Sequence, residues 1–249
     1  MSPASAKYVY GVIGAAGDPS SAAGIGGAPV QLIGDGELAA LVSDIDRDEL
    51  QMGREAMTAH ARVLEDALAH GTVLPMRFGV IMDDEDMVRR NLLQEHGSEL
   101  QAQLRELAGK VELRLRATYE EDRLMREAVA HDPEILRVRD SLQGVPEDAT
   151  YYARIELGER VAAAVERVRQ TDAETILGEL APLALAVESG DPGHERIALN
   201  ASFLVERDRM AEFDERVDQI GGAQAGRLRF KYTGPLPPHS FVRLATAGV

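Results

Sequence analysis

The sequence predicts an α+β protein of two domains, the second a modified ferredoxin-like unit with a helical insertion. Three observations carry that prediction. The hydrophobic period switches repeatedly between strand and helix spacing, so both element types alternate along the chain. At 249 residues the chain exceeds the roughly 150 residues of a common domain. From Lys110 onward the elements read strand, helices, strand, strand, helix, strand, which is the split β-α-β order. The expected division is therefore residues 1–109, an N-terminal α+β domain, and residues 110–249, the ferredoxin-like domain with a proline-rich tail.

In the first domain, residues 8–13 (YVYGVI) read as a buried strand. The small-residue run 14–28 reads as a mobile loop. Its glycines complete neither GxxxxGK[ST] nor GxGxxG, so no phosphate site is expected there. Residues 30–33 and 38–42 flank Asp35-Gly36, a hairpin signal. A helix over 54–70 carries the stripe Met57, Ala61, Leu64 and Leu68, and Gly71 stops it. His60 sits beside that stripe as a boundary residue with a structural role. The strand over 72–81 (TVLPMRFGVI) contains Pro75, which argues for an edge or a bend. Asp83 to Asp86 suit a helix N-terminus, and the leucine stripe from Leu92 to Leu107 is expected to break at Gly97, where Ser98 and Gln101 resemble a capping box.

The second domain opens on the strand 110–117, with Val111, Leu113 and Leu115 inward and Glu112, Arg114 and Arg116 outward. Helices over 120–130 and from Pro133 form the insertion, Glu120 to Ser141, and a further helix over 151–169 extends to Leu180. Strands over 183–187 and 197–205 flank the turn Ser189 to Gly193, and a helix over 208–220 carries Met210, Phe213, Val217 and Ile220. In the ending GRLRFKYTGPLPPHSFV, Leu228, Phe230 and Tyr232 alternate with Arg227, Arg229 and Lys231. Gly234-Pro235 is expected to stop that strand, and Pro237 and Pro238 to hold the tail extended and docked.

The formal net charge of -15 opposes nucleic acid and anionic lipid surfaces. With 0 cysteines there is no disulfide framework and no thiolate ligand. The start lacks the pattern of a signal peptide, and no apolar run approaches the ~18 residues of a membrane span. A soluble, cytoplasmic protein is expected. His131-Asp132 and His194-Glu195 read as solvated caps or turns, and no constellation commits to catalysis, a metal or a cofactor. Only Phe203 could stack a base on the third-strand region, so RNA binding is not expected.

Four stretches, HARVLEDAL, TVLPMRFGVI, NASFLVERDRMAEF and GRLRFKYTGPLPPHSFV, together resemble the gas vesicle accessory protein family GvpL/GvpF. The motifs PMRFG and YTGPLPP are specific in combination, and the resemblance spans nearly the whole chain. It implies two α+β domains, the second a modified ferredoxin fold. It also implies a non-enzymatic minor component or assembly factor of gas vesicles, without cofactor. The partners implied are the hydrophobic main shell subunit, whose aggregation such a protein would limit, and other accessory proteins. The matched positions Pro75, Arg77, Phe78, Gly79, Tyr232, Gly234, Pro235, Pro237 and Pro238 are the candidates for holding the fold or meeting a partner. His239 and Val80 depart from the usual pattern and bear on the subfamily. The rival reading is a small-molecule-binding enzyme or sensor on a ferredoxin-like scaffold, because fold does not fix function.

Overall fold

The structure is a computed structural model that describes residues 5–18, 20–47 and 53–243. Its chain forms two units: one runs to Glu112 and takes up the tail from Gly234, and the other is Leu113–Thr233. The tail, expected with the second domain, thus groups with the first.

The first unit holds β1 (Ser5–Gly14), β2 (Gln31–Asp35), β3 (Leu38–Asp46), α1 (Arg54–His70), β4 (Val73–Pro75), β5 (Ile81–Met82), α2 (Glu85–Met87) and α3 (Gly97–Glu106). Its sheet runs β2-β3-β1-β4, with β5 also on β1. The β2–β3 hairpin turns at Asp35-Gly36 as its sequence predicts, with Gly36 at φ 59, a conformation glycine takes without a Cβ penalty. The single strand expected over 72–81 is divided. β4 pairs with Gly11, Val12 and Ile13, and β5 pairs with Lys7 and Tyr8. Met76 and Val80 still bond the β1 backbone, at the Tyr10 carbonyl (2.8 Å) and the Val9 N–H (2.9 Å), and residues 77–79 between them bulge outward, with Gly79 at φ 96. On α1 the buried stripe is Ala56, His60, Val63, Leu64, Ala67 and Leu68, rotated from the predicted one, so that Met57 is exposed. The rotation follows from His60, a polar side chain that finds its partner inside. Asp84 caps α2 by accepting from the Met87 N–H at 2.7 Å. Residues 88–94 then form a wide turn, and α3 starts at Gly97 without the expected capping box.

The second unit holds β6 (Lys110–Tyr119), α4 (Arg123–His131), α5 (Pro133–Ser141), α6 (Glu147–Leu180), β7 (Ala186–Ser189), β8 (Ile197–Glu206), α7 (Met210–Ala223) and β9 (Leu228–Leu236). The order β7-β8-β6-β9 places the unit's first strand between its third and fourth, the ferredoxin-like arrangement. Leu113, Leu115, Ala117 and Tyr119 of β6 are buried, as are Phe203 and Val205 of β8 and Phe213, Val217 and Ile220 of α7. Ala128, Ile135 and Ala164 join α4, α5 and α6 in a second small core. The helix expected over 151–169 and extending to Leu180 is α6, whose early turns expose Tyr151, Tyr152 and Ile155. β7 starts three residues later than expected, because residues 181–183 take a tight turn around Pro182. Gly234-Pro235 does not stop β9, which continues to Leu236. At the end of the sheet order, β9 is an edge strand, where a proline without an N–H is tolerated. Among the described residues no helix is long and apolar enough to cross a membrane.

Candidate functional site

Residues at i and i+2 of a strand share a face, so β1 turns Tyr8 and Tyr10 the same way, both with 0% exposure. Two buried hydroxyls must find partners or cost stability. The Tyr8 hydroxyl accepts from the Gly79 N–H at 3.0 Å and lies 2.9 Å from His60 Nδ1. The arrangement that also satisfies the buried phenol proton sends it to Nδ1, and on that assignment His60 is the neutral tautomer with its proton on Nε2. Nε2 finds no hydrogen-bond partner among the described residues, although His60 is only 5% exposed. The His60 and Phe78 rings meet edge to face at 5.7 Å, and those of Tyr8 and Tyr10 lie 4.9 Å apart. His60, expected at a boundary, is thus the centre of an aromatic cluster.

Tyr10 ties in the glycine-rich loop. Its hydroxyl accepts from the Ile25 N–H at 2.9 Å and donates to Ser43 Oγ at 3.0 Å, while Ser43 donates to the Pro29 carbonyl at 2.9 Å. A Cβ on Gly24 would lie 2.3 Å from the Tyr10 hydroxyl, so this glycine is required by close approach. Nearer the strand, Asp66 accepts from Ser20 Oγ at 2.9 Å and the Ser21 N–H at 2.8 Å. The loop expected to be mobile is therefore pinned at two places.

Burial sets the electrostatics of the cluster. It pushes the Tyr8 phenol up to about 12, against the Gly79 N–H, which lowers it. It pushes His60 down to about 4; His239 of the tail adds to that effect by charge, and the Met76 backbone opposes it without an ordinary hydrogen bond.

The sequence-predicted motif positions divide by unit. Pro75 is buried at the end of β4, Arg77 is exposed, Phe78 packs on His60 and Tyr8, and Gly79 holds Tyr8. Phe78, Val80, Ile81 and Met82 are half-buried, so the bulge presents an apolar ridge beside Arg77. Pro237 and Pro238 are buried in the tail. Beyond them the Ser240 N–H and hydroxyl donate to Glu112 at 2.8 and 3.0 Å, and Gln103 pairs with the Arg243 backbone in both directions at 2.8 Å. Glu112, predicted outward, is 0% exposed, because the returning tail covers it. In the second unit Tyr232 donates to Asp214 at 2.6 Å and stacks near Phe213. Gly234 and Pro235, joined by a cis peptide bond, are exposed. Tyr8, Tyr10, Ser43, Gln103 and Glu112 carry no motif. Only the two tyrosines two apart in an apolar strand signal their importance in advance.

The second unit also contains a charged cluster. Arg227 reaches Glu127 and Asp172, each at 2.6 Å, and Tyr119 donates to Asp172. Burial opposes the charge on Arg227, yet the two carboxylates hold its pKa above the usual range. A cavity of about 360 Å³ beside it is lined by His131, Arg167, Thr171, Asp172 and Arg227. Its carboxylate is already engaged by Arg227 and Tyr119, and His131 Nδ1 is bonded to the Glu127 carbonyl at 2.7 Å. The lining is occupied with holding α4, α6 and β9 together.

Comparison with known proteins adds the following. Residues 6–243 match the family model described as gas vesicle synthesis protein GvpL/GvpF. Gas vesicle protein F of Streptomyces sp. (strain CB03234) is 39% identical over 239 residues, 94% of this chain and 98% of the relative. Gas vesicle protein L of the same strain is 30% identical, with 100% of this chain and 97% of the relative covered. The crystal structure of the gas vesicle protein GvpF from Anabaena sp. PCC7120 shares the fold at a TM-score of 0.85 and 23% identity, covering 97% of this chain and 99% of that one. That of GvpF from Microcystis aeruginosa has a TM-score of 0.81, also at 23% identity, covering 96% and 99%.

Proposed function

From the premise that this chain belongs to the gas vesicle GvpL/GvpF family and has a role associated with gas vesicles, we propose that it is a non-enzymatic assembly factor that binds the hydrophobic main shell subunit. In this reading it acts in the cytoplasm, limits aggregation of free subunit and supports vesicle nucleation, alongside other accessory proteins. The observation that carries the reading is the ridge of Phe78, Val80, Ile81 and Met82. These apolar side chains stand half-exposed along one short segment, Val80 and Met82 on one face of it and Ile81 on the other, next to Tyr8, His60 and the Gly79 N–H that fix the bulge. A rigid apolar ridge is suited to cover an apolar client surface at little ordering cost. Strand addition along the rest of the segment is disfavoured as the main contact, since Val73, Leu74, Pro75 and Met76 are already buried.

The test is co-expression with the main shell subunit, scoring how much subunit stays soluble and co-purifies. Wild type is expected to retain it. The double substitution Val80→Glu/Ile81→Glu is expected to reduce co-purified subunit at least about tenfold, while circular dichroism shows the chain still folded. Undiminished recovery by that folded variant would refute the ridge. Aggregation of the subunit despite wild-type protein would refute client binding itself.

A further inference from the structure

The open face of the second unit's sheet carries a charge opposite to that of the molecule. Alternation along β6 buries Leu113, Leu115 and Ala117 and leaves Arg114, Arg116 and Thr118 on the other face, with Glu112 of the same face covered at its far end by Ser240. On the neighbouring strand β9, Leu228 is buried and Arg229 and Lys231 are exposed. A cavity of about 280 Å³ opens on this face, lined by Arg116, Thr118, His194, Arg196, Ile197 and Arg229. No carboxylate lines it. Glu195 lies in the adjoining turn, and Glu188 sits on β7 opposite Ser202.

In a chain of net charge -15, cations are expected to be paired. Arg160, Arg209 and Arg227 all reach carboxylates. Arg116, Arg229 and Lys231 make no ion pair or hydrogen bond among the described residues. Arg196 is held differently: its guanidinium donates to the Tyr119 carbonyl at 3.3 Å and its backbone N–H to His194 Nδ1 at 3.1 Å. One cation is thus fixed by the fold, and two beside it keep their forks unused. Guanidinium forks match planar oxyanions in pairs of hydrogen bonds.

We propose that this end of the open sheet face is a docking site for an acidic segment of a partner protein, whose carboxylates are received by Arg116, Arg196 and Arg229. A protein segment fits better than nucleic acid for two reasons. β9 is an edge strand whose backbone can pair with an extended peptide. Among the described residues the His194 imidazole is the one exposed ring at this cavity, and no Phe, Tyr or Trp joins it as a stacking platform; Phe230 and Tyr232 alternate to the opposite side. Screening shortens the reach of the molecule's net charge to about 10 Å at moderate salt, so the local cations govern contact. This site is separate from the ridge, and its test does not depend on the shell subunit.

The probe is a fluorescein-labelled deca-glutamate peptide, read by anisotropy against the full chain at about 0.1 M salt, where the screening length is about 10 Å. Wild type is expected to bind, and Arg116→Glu/Arg229→Glu to lose at least about tenfold in affinity. Arg137→Glu/Arg209→Glu, which makes the same change in net charge at two exposed helical ion pairs, is expected to lose less than about threefold. The neutral pair Arg116→Gln/Arg229→Gln repeats the test if charge reversal unfolds the unit. Absence of wild-type binding, or equal loss in the face and control variants, would overturn the proposal. So would oligouridine binding as tightly as the peptide, or inorganic phosphate displacing the peptide as effectively as free deca-glutamate, since the site would then be one for nucleic acid or a small anion.

Discussion

His60 shows how one side chain can set a local property of the unit. Buried with Nε2 unpartnered, it is held neutral, with its pKa down from 6.5 to about 4. A lowered histidine pKa means that the unfolded chain binds a proton between those two values while the folded chain does not. Stability therefore falls as pH drops through that window, by up to about 3 kcal/mol for a shift of this size, and the loss levels off below the folded value. Urea unfolding followed across the window should show this decline, and His60→Gln should flatten it even though the variant is less stable at neutral pH. A slope identical in the two proteins would mean that carboxylates elsewhere dominate. Gly24 makes the complementary point: a residue with no side chain is fixed by the Tyr10 hydroxyl that fills its place.

Among the elements, the tail is the one whose position local pattern does not give. Its prolines predict an extended, docked segment, but the dock is made by side chains far upstream. Glu112, buried, accepts two hydrogen bonds from Ser240, and Gln103 pairs with the Arg243 backbone. Removing Glu112 or Gln103 deletes these bonds, each worth about 0.5–1.5 kcal/mol and up to about 3 to a charged acceptor. Glu112→Ala and Gln103→Ala should each lower hydrogen-exchange protection at the Ser240 and Arg243 amides by about tenfold or more, in line with that cost. Unchanged protection would show that Pro237 and Pro238 alone hold the tail. β4 and β5 teach a related lesson. Thr72 to Ile81 reads as one strand because its apolar residues run on, yet Gly79 takes a positive φ and the bulge at 77–79 lifts off β1 between β4 and β5.

For the whole molecule, charge is the property with a measurable sign. Self-repulsion at net charge -15 opposes folding, while ion pairs such as Arg227 with Glu127 and Asp172 favour it. Many of the pairs are exposed and contribute little each, so repulsion should win. Calorimetry at neutral pH should then find Tm rising by a few degrees as sodium chloride goes from about 20 to about 200 mM, the range over which the screening length falls from about 20 to about 7 Å and the long-range repulsion is cut first. A falling Tm would show that the ion-pair networks outweigh repulsion.

Within that molecule, the alternation of strand and helix periods, the Asp35-Gly36 hairpin, the order of elements from Lys110 and the family resemblance were all legible in the sequence. Each depends on local geometry or on contiguous motifs, which a linear pattern records. Tertiary structure alone decided that His60 points inward, that Tyr8 and Tyr10 tie the bulge and the glycine loop to β1, and that Glu112 is buried under Ser240. It also decided that Arg116, Arg196 and Arg229, distant along the chain, share one cavity. Those outcomes depend on which partners a fold brings to a polar group, and a buried or unpaired charge is defined by its neighbours in space rather than by its neighbours in sequence.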